Sequence, residues 1–431
     1  MNPEIILSES LELQEKLVEI RRHLHSHPEL GFDLQETYQF VHDQLVQMGY
    51  APHKYGKMGL IATVGPTPKH NAHNTILLRA DMDALPIQEE TPLDYASSSG
   101  CMHACGHDMH TTMLLGAAEL LKKHENELKG QVVLCFQPAE ELLEGAKDMI
   151  EAGVLRDTTP DAALMIHVTV GMPFETGTVV VCDGGVSAPA ADYFEIHIQG
   201  TGCHGAMPQL GVDPITVASH IVTSLQEIHA RELSMFDDAV LTIGSLHAGN
   251  AANAIPDTAT LSGTMRAYDE EVRNFIKKRM AEIISSIATA FRAEATLEFT
   301  SGCPTLLNDA ILSRDVTKYM KELLGQDKAY TKAELLMLTT KDTPSDTILT
   351  QKSSLSSSSN KASKATGSED FAYFSHNVPS IMLAIAAGNS DTGCNYPLHH
   401  PEVTFDENVL STGSAVYAYN AMRWLSANEE G

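Results

Sequence analysis

Residues 132–168 read VVLCFQPAEELLEGAKDMIEAGVLRDTTPDAALMIHV, and this stretch decides the fold class. The apolar run at 132–136 has the length of a buried strand. A helical pattern follows at about 143–152 and is closed by Gly153, a residue that commonly ends helices. A second apolar run covers 162–168. A strand, a helix and a strand in this order predict a βαβ unit with parallel strands.

The same alternation continues on both sides of this unit. Strands are predicted at 60–64, 75–79 and 379–387. Helices are predicted at 8–26, 34–48, 109–123, 309–324 and 406–425. The sequence therefore predicts an α/β fold with a mixed, largely parallel central sheet flanked by helices.

The pattern changes between residues 187 and 300. Strands at 193–199, 239–246, 258–266 and 295–299 alternate with helices at 212–233 and 269–291. The order β-α-β-β-α-β is that of a ferredoxin-like α+β sandwich. We therefore expect 187–300 to be an inserted domain, with 1–186 and 301–431 as the two parts of the α/β domain. The segment from Thr339 to Thr366 is rich in Ser, Thr and Lys, which predicts a mobile surface loop.

Charge and composition restrict the partners. The 431 residues include 56 Asp and Glu but 29 Lys and Arg, for a net charge of −27, which repels nucleic acid and anionic lipid. No run approaches the roughly 18 apolar residues of a membrane span, and the start of the chain lacks the pattern of a secretory signal. Seven irregularly spaced cysteines do not suggest a disulfide framework. We expect a cytoplasmic protein that binds neither nucleic acid nor membrane.

Metal-binding side chains follow several predicted strands. Asp81 and Asp83 come directly after one strand, and Glu140 and Glu141 follow another. His167 lies near the end of a third. Because the carboxyl ends of parallel strands share one edge of a sheet, we expect these groups to lie close together.

The segment 102–110, MHACGHDMH, is the densest cluster of such residues. Five metal-capable side chains occur within eight residues, and Gly106 allows a tight turn between Cys105 and His107. Thiolate and imidazole suit zinc and similar ions. His399 and His400 lie in the loop after the late strand. Together the clusters predict a metal site, and the number of ligands indicates two ions.

Other interpretations of the same residues remain open. Solvated glutamate pairs and core histidines are common. Cys105 with a nearby histidine would suit a cysteine-nucleophile hydrolase, and the ligand set would suit a metal-loaded binding protein. The Glu140–Glu141 pair speaks against a pure binding protein, which needs no base. The histidine-rich segment 21–30 is interpreted as a helix end stopped by Pro28.

Nearly the whole chain resembles the co-catalytic metallopeptidase family of aminoacylases and glutamate carboxypeptidases. The similar segments are RRHLHSHPELGF, RADMDALP, HACGHDMH, FQPAEE, GCHGAMP, NAIPDTATLSGTMR, GSEDFAYF and LHHPEVTFDENVL. They match best the amidohydrolase branch, which includes hippurate hydrolases, N-acyl-amino-acid deacetylases and auxin-conjugate hydrolases. The resemblance implies a catalytic α/β domain with two divalent ions, zinc or manganese, and an inserted lid that also dimerises.

The resemblance also implies a role for each matching residue of the α/β domain. The implied metal ligands are Cys105, His107, Glu141, His167 and His399. Glu140 would be the general base, and Asp83 an acid that orients the site. Asp81 stands where other branches have a ligand histidine and is not included. Asp108 is not included either, although it could hold His107.

Three implied site residues lie in the inserted domain. His204 would stabilise the oxyanion in the active site of the partner subunit. Asn253 and Arg266 would hold the carboxylate end of the substrate, a task that suits the guanidinium fork of arginine.

The expected function is hydrolysis of the amide bond of N-acyl amino acids by metal-activated water, with Glu140 as the base. A metallo-carboxypeptidase or dipeptidase on the same fold is the alternative. The expected assembly is a homodimer or higher homo-oligomer. The Ser-rich segment before GSEDF is longer than expected for the family, so loop shape and substrate choice stay open.

Overall fold

A computed structural model describes residues 2–67, 74–172, 174–341 and 367–428. The chain divides into two compact units. The first contains Met1–Ser187, Leu307–Lys364 and Tyr373–Gly431, and the second contains Ala188–Leu306 and Ala365–Ala372.

A mixed sheet forms the centre of the first unit. Within the described residues its eight strands are, in spatial order, His53–Tyr55, Gly59–Val64, Gln131–Gln137, Thr75–Asp81, Ala162–Thr169, Ser380–Ala386, Val179–Val181 and Ala329–Thr331. The third to sixth strands run parallel to one another, as do the last two. The other neighbouring pairs are antiparallel. The predicted mixed, largely parallel sheet is confirmed.

Helices of the first unit pack against this sheet and against one another. They are Pro3–Glu12, Gln14–Ser26, Gln35–Gln47, His107–Lys123, Gly145–Glu151, Val154–Thr158, Ala310–Leu324, Lys332–Lys341 and Val409–Ala427. The helices His107–Lys123 and Val409–Ala427 pack against each other and are largely buried. The helices approach closely at Gly413, where an added Cβ would lie 1.8 Å from Met113 Sδ and the methionine side chain would have to move.

The second unit is a four-stranded antiparallel sheet with two helices. The strands are, in spatial order, Ala239–Ala248, Thr258–Ala267, Ala190–Gln199 and Glu294–Cys303. The helices Pro214–Glu227 and Glu270–Ala290 bury apolar side chains against this sheet, and a wider helical turn follows at Ile228–Glu232. Along the chain the order is β-α-β-β-α-β. A two-residue ladder pairs Cys203–His204 with Ala254–Ile255.

Short elements lie where the chain passes from one unit to the other. They are the strands Gly185–Ala188 and Leu306–Asn308 and the helix Ala372–Ser375. Among the described helices, none is both long enough and apolar enough to span a membrane.

The structure corrects two expectations about local elements. The single helix expected at 8–26 is wrong, because Pro3–Glu12 and Gln14–Ser26 meet at a turn at Leu13. The loop expected at 339–366 begins as the last turn of the helix Lys332–Lys341, and residues 342–366 lie outside the described part of the chain. The buried face of the helix Pro3–Glu12 continues into Gln14–Ser26, so apolar periodicity could not reveal the turn at Leu13.

Candidate metal centre

Three parallel strands bring acidic and imidazole side chains to one edge of the first unit's sheet. Asp81 ends its strand directly opposite Gln137, so the Glu140–Glu141 pair follows at the same edge. His167 lies near the end of the strand on the other side of Asp81's strand. The structure thus places these groups at the shared edge that the strand order predicts.

A glycine turn places Cys105 and His107 at this edge. Gly106 has a φ of +86°, and a Cβ there would lie 2.4 Å from Val168 Cγ2. The helix His107–Lys123 begins immediately afterwards, two residues earlier than the sequence pattern predicted. The side chains on both sides of the turn are buried. Only glycine therefore fits between the two candidate ligands.

The five side chains expected to bind metal lie together. In the group Cys105, His107 and His167, and again in the group Cys105, Glu141 and His399, the donor atoms lie within 4.8 Å of one another. Cys105 Sγ is 3.6 Å from His167 Nε2, and His399 Nε2 is 3.5 Å from Glu141 Oε1. The arrangement offers sulfur, nitrogen and oxygen donors, a set suited to zinc or a similar borderline ion.

Asp83 holds the glutamate pair through the backbone. Its Oδ1 accepts a hydrogen bond from the N–H of Glu140 at 3.0 Å, and its Oδ2 accepts from the N–H of Glu141 at 3.2 Å. Asp83 is buried, so its carboxylate is shielded from solvent and interacts with other groups of the protein. This residue therefore orients the segment that carries both glutamates.

Backbone strain is concentrated around the same segment. Ala139 and Leu143 flank the glutamate pair with φ values of 54° and 57°, and His399 has a φ of 65°. Non-glycine residues in this left-handed region cost about 1–3 kcal/mol each and tend to occur at functional sites. The N–H of His399 also donates to the carbonyl oxygen of Ala104 at 2.9 Å, which ties the late loop to the segment before Cys105.

The imidazole of His107 has a defined tautomer. Its Nδ1 lies 2.8 Å from the carbonyl oxygen of Asp83, and since a carbonyl only accepts, Nδ1 carries the hydrogen. In the neutral ring the lone pair is then on Nε2. Nε2 and Glu141 Oε1 are both buried atoms without a hydrogen-bond partner within the described residues. Buried polar atoms rarely lack a partner. The two atoms are 3.9 Å apart, a distance that suits two ligand atoms near a bound cation.

The electrostatics of the site also favour a cation. Burial raises the pKa of the Cys105 thiol. Burial, with the negative charges of Asp83 and Asp81, raises the pKa of Glu141 to about 7 despite the nearby His107. The thiol and the carboxyl therefore resist ionisation in the protein alone, and bound divalent ions would stabilise their charged, metal-binding forms.

Asp81 has other partners. Its Oδ1 lies 2.6 Å from His110 Nδ1, and its Oδ2 lies 2.6 Å from Arg79 Nη1. All three side chains are fully buried. Both carboxylate oxygens thus have partners within the protein, and Asp81 also lies with His107 and His110 in a further group whose potential ligand atoms are within 4.8 Å of one another.

Sequence reasoning missed a buried polar network behind the site. Asp108, considered as a support for His107, instead accepts from Arg21 Nε at 2.9 Å and from His25 Nδ1 at 2.8 Å. The other ring nitrogen of His25 lies 3.1 Å from Glu89 Oε1. The segment 21–30 was interpreted as a helix end alone. Arg21 and His25 share a helix face at a spacing of four residues, and that spacing was the available signal.

His204 and Asn253 lie close together in the second unit. His204 lies in the two-residue ladder opposite Ala254, and the N–H of Gly205 donates to the carbonyl oxygen of Asn253 at 2.8 Å. The N–H of Ala206 donates to His204 Nδ1 at 3.0 Å, so Nε2 of this exposed ring carries the hydrogen.

Arg266 lies on the strand Thr258–Ala267 of the second unit. Its Nη2 donates to the hydroxyl of Tyr193 at 3.2 Å, and its guanidinium stands over the same ring at 5.2 Å. Its Nη1 donates to the carbonyl oxygen of Met265 at 3.0 Å. The side chain is therefore positioned by its own sheet.

A profile of peptidase family M20/M25/M40 matches residues 77–345. The chain belongs to this family. N-acetyl-L-cysteine deacetylase of Bacillus subtilis is 37% identical over 421 residues, which cover 97% of this chain and 90% of the relative. An IAA-amino acid hydrolase of Arabidopsis thaliana is 36% identical over 427 residues, covering 97% and 87%.

Solved structures of the family share the fold. A dinuclear metal-binding peptidase of the M20 family from Bacillus subtilis superimposes with a TM-score of 0.71 at 30% identity, covering 96% of this chain and 99% of that structure. Membership in peptidase family M20/M25/M40 makes the chain a hydrolase of amide or peptide bonds.

Proposed function

We propose that this member of the M20 family binds two divalent metal ions, zinc or manganese, and hydrolyses the amide bond of N-acyl amino acids. The observation that carries the proposal is the cluster of five donor side chains with two buried atoms, His107 Nε2 and Glu141 Oε1, that lack a hydrogen-bond partner within the described residues. The substrate class is supported by the names of two relatives, of which one is a deacetylase of N-acetyl-L-cysteine and the other a hydrolase of an IAA-amino acid.

The proposed ligands are Cys105, His107, Glu141, His167 and His399. Glu141 lies within 4.8 Å of donor atoms of Cys105, His399 and His107, which supports a central place for its carboxylate. When bound, the ions supply a Lewis acid for the amide carbonyl and lower the pKa of water toward about 7. The hydrogen bond from His107 to Asp83 keeps the other ring nitrogen available as a donor atom.

Glu140 is the proposed general base. Its backbone is held by Asp83, and its Oε2 lies 3.9 Å from His107 Nε2, so the carboxylate faces the candidate ligands. Glu140 accepts the proton of the attacking water on a carboxylate oxygen and then transfers it to the leaving nitrogen. Such proton transfer contributes about 10²–10⁴ in rate. Asp83 acts through orientation, because it anchors the N–H groups of both glutamates.

Three residues of the second unit complete the proposal. His204 carries a hydrogen on Nε2 and so offers a donor for a developing oxyanion. In the proposed homodimer this donor serves the site of the partner subunit, and the inserted domain, predicted at 187–300, acts as lid and dimerisation domain. Arg266 and Asn253 bind the carboxylate of the amino-acid part, with arginine supplying the paired donors.

The test compares two neighbouring variants that differ in their proposed role. Glu140→Gln should keep both ions and lose turnover by at least about 10²-fold, since it removes the base. Glu141→Gln should lose metal, because it removes a ligand. Metal content by mass spectrometry and hydrolysis of a panel of N-acyl amino acids check both, with zinc and manganese each added to metal-free protein. Reversed phenotypes would show that ligand and base are assigned the wrong way round.

The same assay, extended to unmodified dipeptides, chelator-treated protein and substrate binding, separates the alternatives. A carboxypeptidase or dipeptidase would prefer unmodified dipeptides to matched N-acetyl amino acids by kcat/KM. A cysteine-nucleophile hydrolase would keep its activity after removal of metal by chelator. A metal-loaded binding protein would bind N-acyl amino acids without turnover. Any of these results would contradict the proposed function.

A further inference from the structure

The strand that carries His167 loses one neighbour just before this residue. On one side, Thr75–Asp81 pairs with it only as far as Arg79 opposite Met165. On the other side, Ser380–Ala386 pairs with it up to Thr169. The backbone N–H groups beyond Met165 on the first side therefore have no strand to receive them.

Two side chains from different helices take the place of the missing strand. The N–H of Ile166 donates to the hydroxyl of Tyr417 at 3.1 Å, and that hydroxyl donates to the carbonyl oxygen of Arg79 at 2.7 Å. The N–H of Val168 donates to His110 Nε2 at 2.8 Å. His167 lies between the two anchored residues, and both anchoring side chains are fully buried.

The hydrogen bond to Val168 fixes the tautomer of His110. A backbone N–H only donates, so Nε2 must accept and the ring hydrogen must be on Nδ1. Nδ1 lies 2.6 Å from Asp81 Oδ1, which accepts this hydrogen, and Arg79 donates to the other oxygen of Asp81. The orientation of the ring is thus set at both nitrogens, and neither can exchange roles without losing a buried bond.

We propose that His110 and Tyr417 are positioning residues that hold His167 at the metal centre by completing the hydrogen bonds of its strand. This inference rests on the proposed function, in which His167 is a metal ligand. The rings of His110 and His167 are in edge-to-face contact, with centroids 4.6 Å apart, so a displacement of one ring would also move the other. Metal sites tolerate ligand displacements of only about 0.2 Å, and loss of a supporting hydrogen bond typically weakens metal affinity about 10–100-fold.

Two substitutions of His110 separate its two hydrogen bonds. In His110→Gln the amide oxygen reaches the region of Nε2 and can still accept from the Val168 N–H. In His110→Asn the shorter amide can donate to Asp81 from the region of Nδ1 but does not reach Val168. The pair therefore has matched chemistry and differs in whether the strand carrying His167 stays anchored.

The first measurement is hydrogen exchange of the Val168 amide in metal-free protein. We expect His110→Asn to accelerate it at least about tenfold and His110→Gln to leave it within about threefold of the original chain. The second is zinc binding to metal-free protein in competition with a chromophoric chelator. We expect His110→Asn to weaken one of the two ions about 10–100-fold, with His110→Gln much closer to the original affinity.

Two further variants keep the test decisive. Tyr417→Phe removes the hydroxyl that anchors Ile166 and keeps the aromatic ring. It should weaken the affinity for the same ion, and it provides a test even if His110→Asn fails to fold. His167→Ala is the reference for losing the ligand itself. If His167→Ala loses an ion while folded His110→Asn and Tyr417→Phe bind both ions normally, the positioning role is wrong and the proposed function stands. If His167→Ala retains both ions, His167 is not a ligand, and the positioning role and the proposed ligand set are both wrong while the two-metal hydrolase remains.

Discussion

Replacement of Gly106 by alanine should destabilise the first unit far more than the same replacement at Gly100. Both glycines have nearly the same positive φ, +86° and +84°. An added Cβ at Gly106 would lie 2.4 Å from Val168 Cγ2 and 3.1 Å from Phe405 Cζ, whereas at Gly100 nothing lies within 4 Å. The pair thus separates the conformational cost of a positive φ from the steric cost.

The magnitude follows from these two contributions. The left-handed conformation costs alanine about 1–2 kcal/mol at either position. Overpacking a well-packed core costs about 1–3 kcal/mol more. Val168 cannot easily turn aside, because its side chain is branched at Cβ and its N–H is held by His110. We expect a loss of about 2–5 kcal/mol for Gly106→Ala and about 1–2 kcal/mol for Gly100→Ala.

Urea unfolding followed by tryptophan fluorescence measures this difference. The chain has one tryptophan, Trp424, which is buried in the same core as Val168 and Phe405. Its fluorescence therefore reports the first unit even if the two units unfold separately. Metal-free protein should be used, so that altered metal binding does not add to the result. Equal losses of stability in the two variants would refute the steric argument.

Three other outcomes are expected. Cys105→Ser should weaken metal binding strongly, as measured by chelator competition, because a neutral hydroxyl is a poor substitute for a thiolate; unchanged affinity would exclude the thiol as a ligand. Burial lowers the pKa of His124, but hydrogen bonds to two neighbouring carboxylates raise it overall. Protonated His124 therefore stabilises the folded protein. This contribution is complete below the unfolded pKa of about 6.5 and is lost as the pH rises through the folded pKa. The stability lost in His124→Gln, measured by urea unfolding, should thus be larger at about pH 6 than at about pH 9, by less than about 1 kcal/mol, and a larger loss at the higher pH would contradict the sign. Mixing inactive His204→Ala and Glu140→Ala chains should restore part of the activity if the histidine acts in the partner subunit, whereas no recovery despite proven subunit exchange would place its action within its own chain or nowhere.

The sheet edge and the convergence of metal-binding residue types on it could be anticipated from local pattern, whereas the choice of the five ligands came from the resemblance to the family. Apolar runs locate the central strands, and the polar residues that follow them must then meet at one edge. The sheet's three-residue strands were missed, since so short a segment shows no periodicity; they are His53–Tyr55, Val179–Val181 and Ala329–Thr331. The turn at Leu13 was missed because the apolar face is continuous across it.

The supporting hydrogen bonds could not be predicted in the same way. His110 meets Asp81 across 29 positions, and Arg21 meets Asp108 across 87. These pairs depend on how helices pack on the sheet, which no stretch of neighbouring residues encodes. Asp81 and Asp108 are not in the predicted ligand set, and the partners of their carboxylates became visible only in three dimensions.

The split of the first unit along the chain has a consequence for folding during synthesis. The strand of His167 pairs with Ser380–Ala386, and its hydrogen bond to Tyr417 joins residues 251 positions apart. The ribosome therefore releases most of the candidate metal ligands long before the strand and the helix that hold them exist. The second unit is almost continuous, from Ala188 to Leu306, and can close on its own contacts first. We expect the metal centre to be among the last parts of the nascent protein to form, since its distant contacts carry the largest loop-closure entropy.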